Sequence, residues 1–232
     1  MIKRYLLLAC LLCLSVQAQN VPHSPTADDE LPAAITGNAP PLAGSDVAYF
    51  PDDPNAVGYL ALPTGGGNNG KYGAVILIHE WNGLAPRIRE TADALAAEGY
   101  VALAVDLYSG FVGTSREENI SLMQEVNQDP ETMIANLNAA VNYLKSRSDV
   151  EGKVVAMGWC FGGGVALSYA LGSDHHDGTA IFYGRLVDDP QRLKHIHHEV
   201  YGTFAKNDRG IPVESVNSFV DAMRSAGIKN DV

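Results

Sequence analysis

Disulfide bonding has little to work with here: the 232 residues hold three cysteines, Cys10, Cys13 and Cys160. That is too few for a disulfide scaffold. Positive charge is also scarce. Sixteen Lys and Arg face 27 Asp and Glu, a formal charge of −11. A field of that sign argues against nucleic acid or an anionic membrane surface as partner. Charged residues of both signs make up only 19%, against 46% hydrophobic residues. That balance excludes a wholly disordered chain. There is no internal repeat and no long low-complexity tract. What is present suits one compact globular domain with a sizeable core.

The first 18 residues, MIKRYLLLACLLCLSVQA, have the form of a secretory signal peptide. Lys3 and Arg4 make a basic start, Tyr5 to Val16 a short apolar run, and Val16-Gln17-Ala18 a small-residue cleavage site. The run is shorter than the roughly 20 residues a membrane span needs, so no stable membrane anchor is expected. Cleavage after Ala18 predicts a secreted or periplasmic protein. It would leave 14 basic and 27 acidic residues, a charge of −13, and one thiol, Cys160. A lone cysteine in an exported chain is a buried structural thiol, an intermolecular linker or a reactive group. Residues 19–45 hold five of the twelve prolines with Asn, Ser, Thr and Asp, and read as an extended leader preceding a domain over 46–232.

Along that domain, Asp46–Phe50 and Gly58–Leu62 flank the turn signal Pro51-Asp52-Asp53-Pro54 and predict an antiparallel hairpin. Gly73–His79, Tyr100–Val105 and Lys153–Met157 are continuous apolar runs of the buried parallel type. Thr179–Tyr183 and Glu199–Phe204 read as further strands. Helices are predicted over Pro86–Ala97, from Asp129-Pro130 through Leu144, over Gly162–Leu171 and over Pro212–Ala226. Strands alternating with helices imply an α/β fold with a mostly parallel, doubly wound sheet. Ligands of such sheets bind outside the carboxyl ends of the strands.

The sharpest motif stands at one of those ends. Gly158-Trp159-Cys160-Phe161-Gly162-Gly163-Gly164 lies directly after a strand and directly before a helix. It has the spacing of a nucleophile elbow with Cys where Ser is usual. The turn strains the nucleophile's backbone, so its neighbours must be small, and Gly158 and Gly162 are. The helix N-terminus beneath Cys160 is expected to favour its thiolate. His79-Glu80-Trp81-Asn82-Gly83 ends the first parallel strand. In an elbow site that loop lends one backbone N–H to an oxyanion hole and the residue after the nucleophile lends another. Trp81 and Phe161 are the residues in question. Glu80 is a carboxylate beside the thiol, able to set its proton balance or to stand as a solvated loop acid. His79 reads as structural. Asn207-Asp208-Arg209-Gly210 follows a later strand, where the triad acid belongs, and makes Asp208 the acid candidate.

Together these segments resemble the dienelactone hydrolase family of α/β-hydrolases. The resemblance runs from about Gly58 onward. It rests on Gly58-Tyr59-Leu60-Ala61-Leu62-Pro63, His79-Glu80 with Gly83, Gly99-Tyr100-Val101-Ala102, Asp106-Leu107-Tyr108, Gly158-Trp159-Cys160-Phe161-Gly162-Gly163 and Asp208-Arg209-Gly210-Ile211-Pro212. It implies a Cys-His-Asp triad that opens a small-molecule ester or lactone through an acyl-enzyme, in a monomer, with no cofactor and no metal. Cys160 matches the nucleophile and Asp208 the acid. Glu80 matches the carboxylate that influences the cysteine before substrate arrives.

Two departures stand out. The family's best-known members place an arginine shortly after Asp-Leu-Tyr to bind a substrate carboxylate; here Tyr108 is followed by Ser109-Gly110-Phe111. The triad histidine should follow Asp208, yet the seven histidines are His23, His79, His175, His176, His195, His197 and His198. The strand expected to start at Ile228, and the histidine loop after it, read as missing from this sequence. Pairing Asp188 or Asp189 with His195 or His197 would restore the order but not the spacing. His195-x-His197-His198, with Glu199, lacks enough ligands nearby for a metal. Three readings follow: a cysteine ester or lactone hydrolase cut short near Val232, a binding protein of the same fold without the base, and a redox-sensitive thiol protein.

Overall fold

The computed structural model describes residues 40–65 and 70–232. The expected signal peptide, and the leader as far as residue 39, lie outside the described residues. Eight strands form one sheet: β1 (Ser45–Ala48), β2 (Val57–Ala61), β3 (Tyr72–Ile78), β4 (Val101–Ala104), β5 (Val150–Trp159), β6 (Gly178–Phe182), β7 (Val200–Thr203) and β8 (Asn230–Asp231). Their spatial order is β1-β2-β4-β3-β5-β6-β7-β8. The hairpin β1–β2 is antiparallel, β2 runs antiparallel to β4, and every later pairing is parallel. Strand β1 begins one residue before the expected Asp46, because Ser45 already pairs with Leu60. The last stretch of the leader is tied down as well: the Ala43 N–H donates to Asp93, and the Gly44 N–H to the Tyr59 hydroxyl. The last strand, read as missing, is present in part: Asn230–Asp231 forms a two-residue rung on β7.

Six helices appear among the described residues: α1 (Pro86–Ala97), α2 (Arg116–Gln128), α3 (Pro130–Ser146), α4 (Phe161–Gly172), α5 (Pro190–Leu193) and α6 (Val213–Ser225). The period of two along β3 explains how both faces of the sheet are covered. Ala74, Ile76 and Ile78 join the core that contains Met133, Leu137 and Val141 of α3. Val75 and Leu77, between them, join Ile88, Ala92 and Ala96 of α1. From Ala74 to Ile78 every side chain of β3 is therefore buried, which is why such a strand reads as an unbroken apolar run. A third cluster packs Phe219 and Met223 of α6 against Ile181 of β6 and Val200 of β7.

Helix α2 departs from the expected pattern. Its sequence is strongly polar and buries only Asn119 fully, so it carries no clear apolar stripe. Its start is nevertheless written locally. Ser115 accepts from the Glu118 N–H, and Glu118 reaches back to the Ser115 N–H, a complete capping box.

Candidate active site

The loops after β3, β4, β5, β6 and β7 meet at the carboxyl end of the sheet. Cys160 joins β5 to α4 with φ 54° and ψ −116°, a conformation that costs an L-residue of order 1–3 kcal/mol and persists only where the surroundings fix it. Here they do. The Cys160 N–H is held by the Phe182 carbonyl, and its own carbonyl accepts from the Gly164 N–H. A Cβ on Gly158 would lie 2.1 Å from the Gly162 carbonyl oxygen, and one on Gly162 would lie 2.3 Å from that of Ile78. No side chain fits either place, so the expected reason for both glycines holds. The turn leaves Cys160 exposed.

The expectation of a thiolate favoured by the helix terminus does not hold. The Phe161 N–H acts in that direction. Partial burial of the thiol, with the nearby Glu80 and Asp208 charges adding to it, raises the Cys160 pKa above its ordinary value. The group is a thiol at neutral pH, and it needs a base to become a nucleophile. The N–H groups of Trp81 and Phe161 are both uncommitted to any carbonyl. Trp81 is fixed from the other side, where its own carbonyl accepts from the Tyr108 hydroxyl at 3.0 Å.

Glu80 is clamped by two other side chains. The Arg87 guanidinium donates to one carboxylate oxygen at 2.6 Å and the Tyr183 hydroxyl to the other at 3.1 Å. Arg87 lies on α1. Tyr183 directly follows β6 and has a positive φ of 41°. Sequence reasoning missed this clamp: Tyr183 lies 103 positions from Glu80, and only the parallel order of β3, β5 and β6 brings them together. Asp208 is half-buried and turned into its own loop, where one carboxylate oxygen accepts from the Gly210 and Ile211 N–H groups.

No described imidazole is available to Cys160. His79 is fully buried with both nitrogens engaged. Nδ1–H donates to the Glu80 carbonyl, and Nε2 accepts from the Leu107 N–H. Burial lowers its pKa to about 4, so the ring is neutral. The structural reading of His79 is correct. His175, His176, His195, His197 and His198 all precede β6 or β7 and stand at the amino end of the sheet. The pairing of His195 or His197 with Asp188 or Asp189 is thereby excluded as a partner of Cys160, because the length of β7 separates them. Among the described residues no group of three or more His, Cys, Asp or Glu side chains could hold a metal ion. No described helix is long and apolar enough to cross a membrane.

Comparison with known proteins agrees with this fold. The chain is 26% identical over 217 residues to the "Putative carboxymethylenebutenolidase" of Escherichia coli K12, covering 84% of this chain and 80% of that one. It is 30% identical over 200 residues to the protein of the same name from Saccharolobus solfataricus, covering 70% and 75%. A solved structure named m3DLH superposes with a TM-score of 0.70 at 25% identity, over 82% of this chain and 79% of that one. A dienelactone hydrolase-like promiscuous phosphotriesterase from metagenomic libraries gives 0.71 at 23% identity, over 82% and 80%, a likeness of fold alone. The sequence model of the dienelactone hydrolase family matches residues 57–232, from β2 through the elbow and the Asp208 loop. An α/β-hydrolase sheet with these loops at its carboxyl end, matched along three quarters of its length, places the chain in the dienelactone hydrolase family, a family of hydrolases.

Proposed function

We propose that the chain opens carboxylic esters or lactones through a thioester on Cys160. The observation that carries this reading is the strained, exposed Cys160 beside the Trp81 and Phe161 N–H groups, neither of which is bonded to a carbonyl. The Cys160 sulfur, once deprotonated, adds to the substrate carbonyl carbon, and the oxyanion forms against the N–H groups of Trp81 and Phe161. The C–O bond breaks and the alkoxide leaves with a proton. Water then adds to the thioester carbonyl, the C–S bond breaks, and the acid departs as the thiol reforms. Each half needs a proton carrier. Asp208 is the acid that would orient such a carrier, and Glu80 is the charge that governs when the thiol ionises.

A second reading has its own observation. With His79 buried and bonded and the other described imidazoles at the amino end of the sheet, acylation and deacylation have no base among the described histidines, and loss of one triad member costs several powers of ten in rate. On that reading the chain binds esters and turns them over poorly.

Incubation with p-nitrophenyl acetate and intact-mass spectrometry separates the two. The hydrolase reading expects steady release of nitrophenol, abolished in Cys160→Ala. The binding reading expects one acetyl group to accumulate on Cys160 at alkaline pH with little turnover, and added imidazole to restore release. Equal nitrophenol release by Cys160→Ala and the unaltered chain would remove both.

A further inference from the structure

One concavity of the molecule is not used by the proposed hydrolysis. It has a volume of about 340 Å³ and opens between α2, α3 and the loops after β1 and β4. That is the lower end of the range for pockets that take small organic ligands, roughly 300–1,000 Å³. Cys160, Glu80, Trp81 and Asp208 do not line it. Tyr108 does, and the same ring packs against Phe161 with centroids 6.1 Å apart. The Tyr108 ring thus links the pocket lining to the residue next to Cys160.

Its lining has three chemical parts. Leu122, Val126 and Met133 give aliphatic surface from α2 and α3. Phe50, Tyr108 and Phe111 give aromatic surface, and Phe111 is 66% exposed at the rim. A large ring left in water beside a cavity is surface with no partner among the described residues. Asp53, Glu125 and Asp129 give three carboxylates, and among the described residues no Lys, Arg or His lines the pocket. None of the three is in a salt bridge among the described residues.

The neutral polar groups are spent internally. Asn136 accepts from the Tyr49 hydroxyl and donates to the Asp106 carbonyl. The Ser109 hydroxyl donates to Asp53. Asp53 also accepts from the Asn55 N–H, and Asp129 caps α3 through the Thr132 N–H. These bonds hold both carboxyls ionised, below their ordinary pKa. An occupant therefore finds apolar walls, aromatic faces and uncompensated negative charge, with no free donor for an anion. Aromatic faces attract cations through the ring quadrupole, and carboxylates add to that attraction.

We propose that this pocket binds an organic cation with an apolar body, of the alkylammonium or quaternary ammonium class. The site is independent of the ester-hydrolase reading and stands or falls without it. The test is calorimetric titration of the full chain with hexyltrimethylammonium, hexanol and hexanoate, which share the alkyl body and differ in charge. The expected result is saturable binding of the cation about tenfold tighter than hexanol, with hexanoate weaker still. Val126→Trp, which fills the pocket from a half-buried position, should abolish binding. The exposed Glu125→Gln should weaken it about threefold and reduce its sensitivity to salt. Prior alkylation of Cys160 with iodoacetamide should leave it intact. Equal affinity for hexanoate, unchanged binding in Val126→Trp, or loss of binding on Cys160 alkylation would each overturn the proposal. The last would move the ligand to the Cys160 site.

Discussion

Ser109, Cys160 and Tyr183 are the described non-glycine residues with positive φ. Each follows a parallel strand, β4, β5 or β6, at the carboxyl end of the sheet. At the opposite end no described non-glycine residue has a positive φ, and five imidazoles gather there instead. The Thr179 hydroxyl stands between two of them, 2.9 Å from His176 Nε2 and 2.8 Å from His198 Nε2. One hydroxyl can donate to only one ring, so the other ring must donate to it. The His176 ring stacks on Tyr169 with centroids 4.3 Å apart, and its Nδ1 is buried without a partner. The two ends show how one sheet divides its costs. One end stores conformational strain where loops must converge. The other stores desolvation where rings must stay neutral.

Three measurements bear on that division. The largest effect is expected at the strained end. Gly158→Ala places a methyl group on the Gly162 carbonyl, where neither backbone can yield. Urea unfolding should show a loss of roughly 3 kcal/mol or more. A change below about 1 kcal/mol would mean that the elbow is looser than its geometry.

The amino end should respond to acid. The pKa of His176 is lowered to about 3, chiefly by burial and then by the His198 charge, against 6.5 for an unperturbed ring. The unfolded chain therefore takes up the proton first. The stability this ring protects is complete above pH 6.5 and is lost as pH falls from there toward about 3. By pH 5 the loss is about 2 kcal/mol for His176, and similar for His79. His176→Phe keeps the stack on Tyr169 and frees Thr179 for His198 alone. It should remove about half of the drop in unfolding midpoint between pH 7 and pH 5. An unchanged pH dependence would assign the acid sensitivity to the carboxyl end.

The smallest effect concerns the thiol. Glu80 and Asp208 both raise the Cys160 pKa. Iodoacetamide should label native Cys160 slowly at pH 7 and faster as pH rises. Glu80→Gln should speed labelling at pH 7 about threefold. Slower labelling would make Glu80 a promoter of the thiolate instead.

Most of the fold could be read from local pattern, since central parallel strands are buried on both faces and α1 has the predicted bounds, Pro86–Ala97. Helix α2 could not be read from periodicity because it faces water over most of its surface, although Ser115-x-x-Glu118 announces its first turn. Glycine spacing made Cys160 legible, and strand ends made Glu80 and Asp208 legible. The protonation of Cys160 was not, because it depends on distances to burial and charge rather than on residue types. The same holds for the clamp of Arg87 and Tyr183 on Glu80.

His79 extends the sheet beyond its last backbone rung. β3 and β4 pair as far as Leu77 and Ala104, and the Val105 N–H still reaches the Leu77 carbonyl. The next link, from the Leu107 N–H, is made to an imidazole nitrogen. The ring works as a spacer one imidazole wide between the Glu80–Trp81 loop and the Leu107–Tyr108 loop, and so sets the gauge of the cleft mouth. When His79 takes a second proton, below about pH 4, two donors would face each other across that gap, and the spacer would become a wedge.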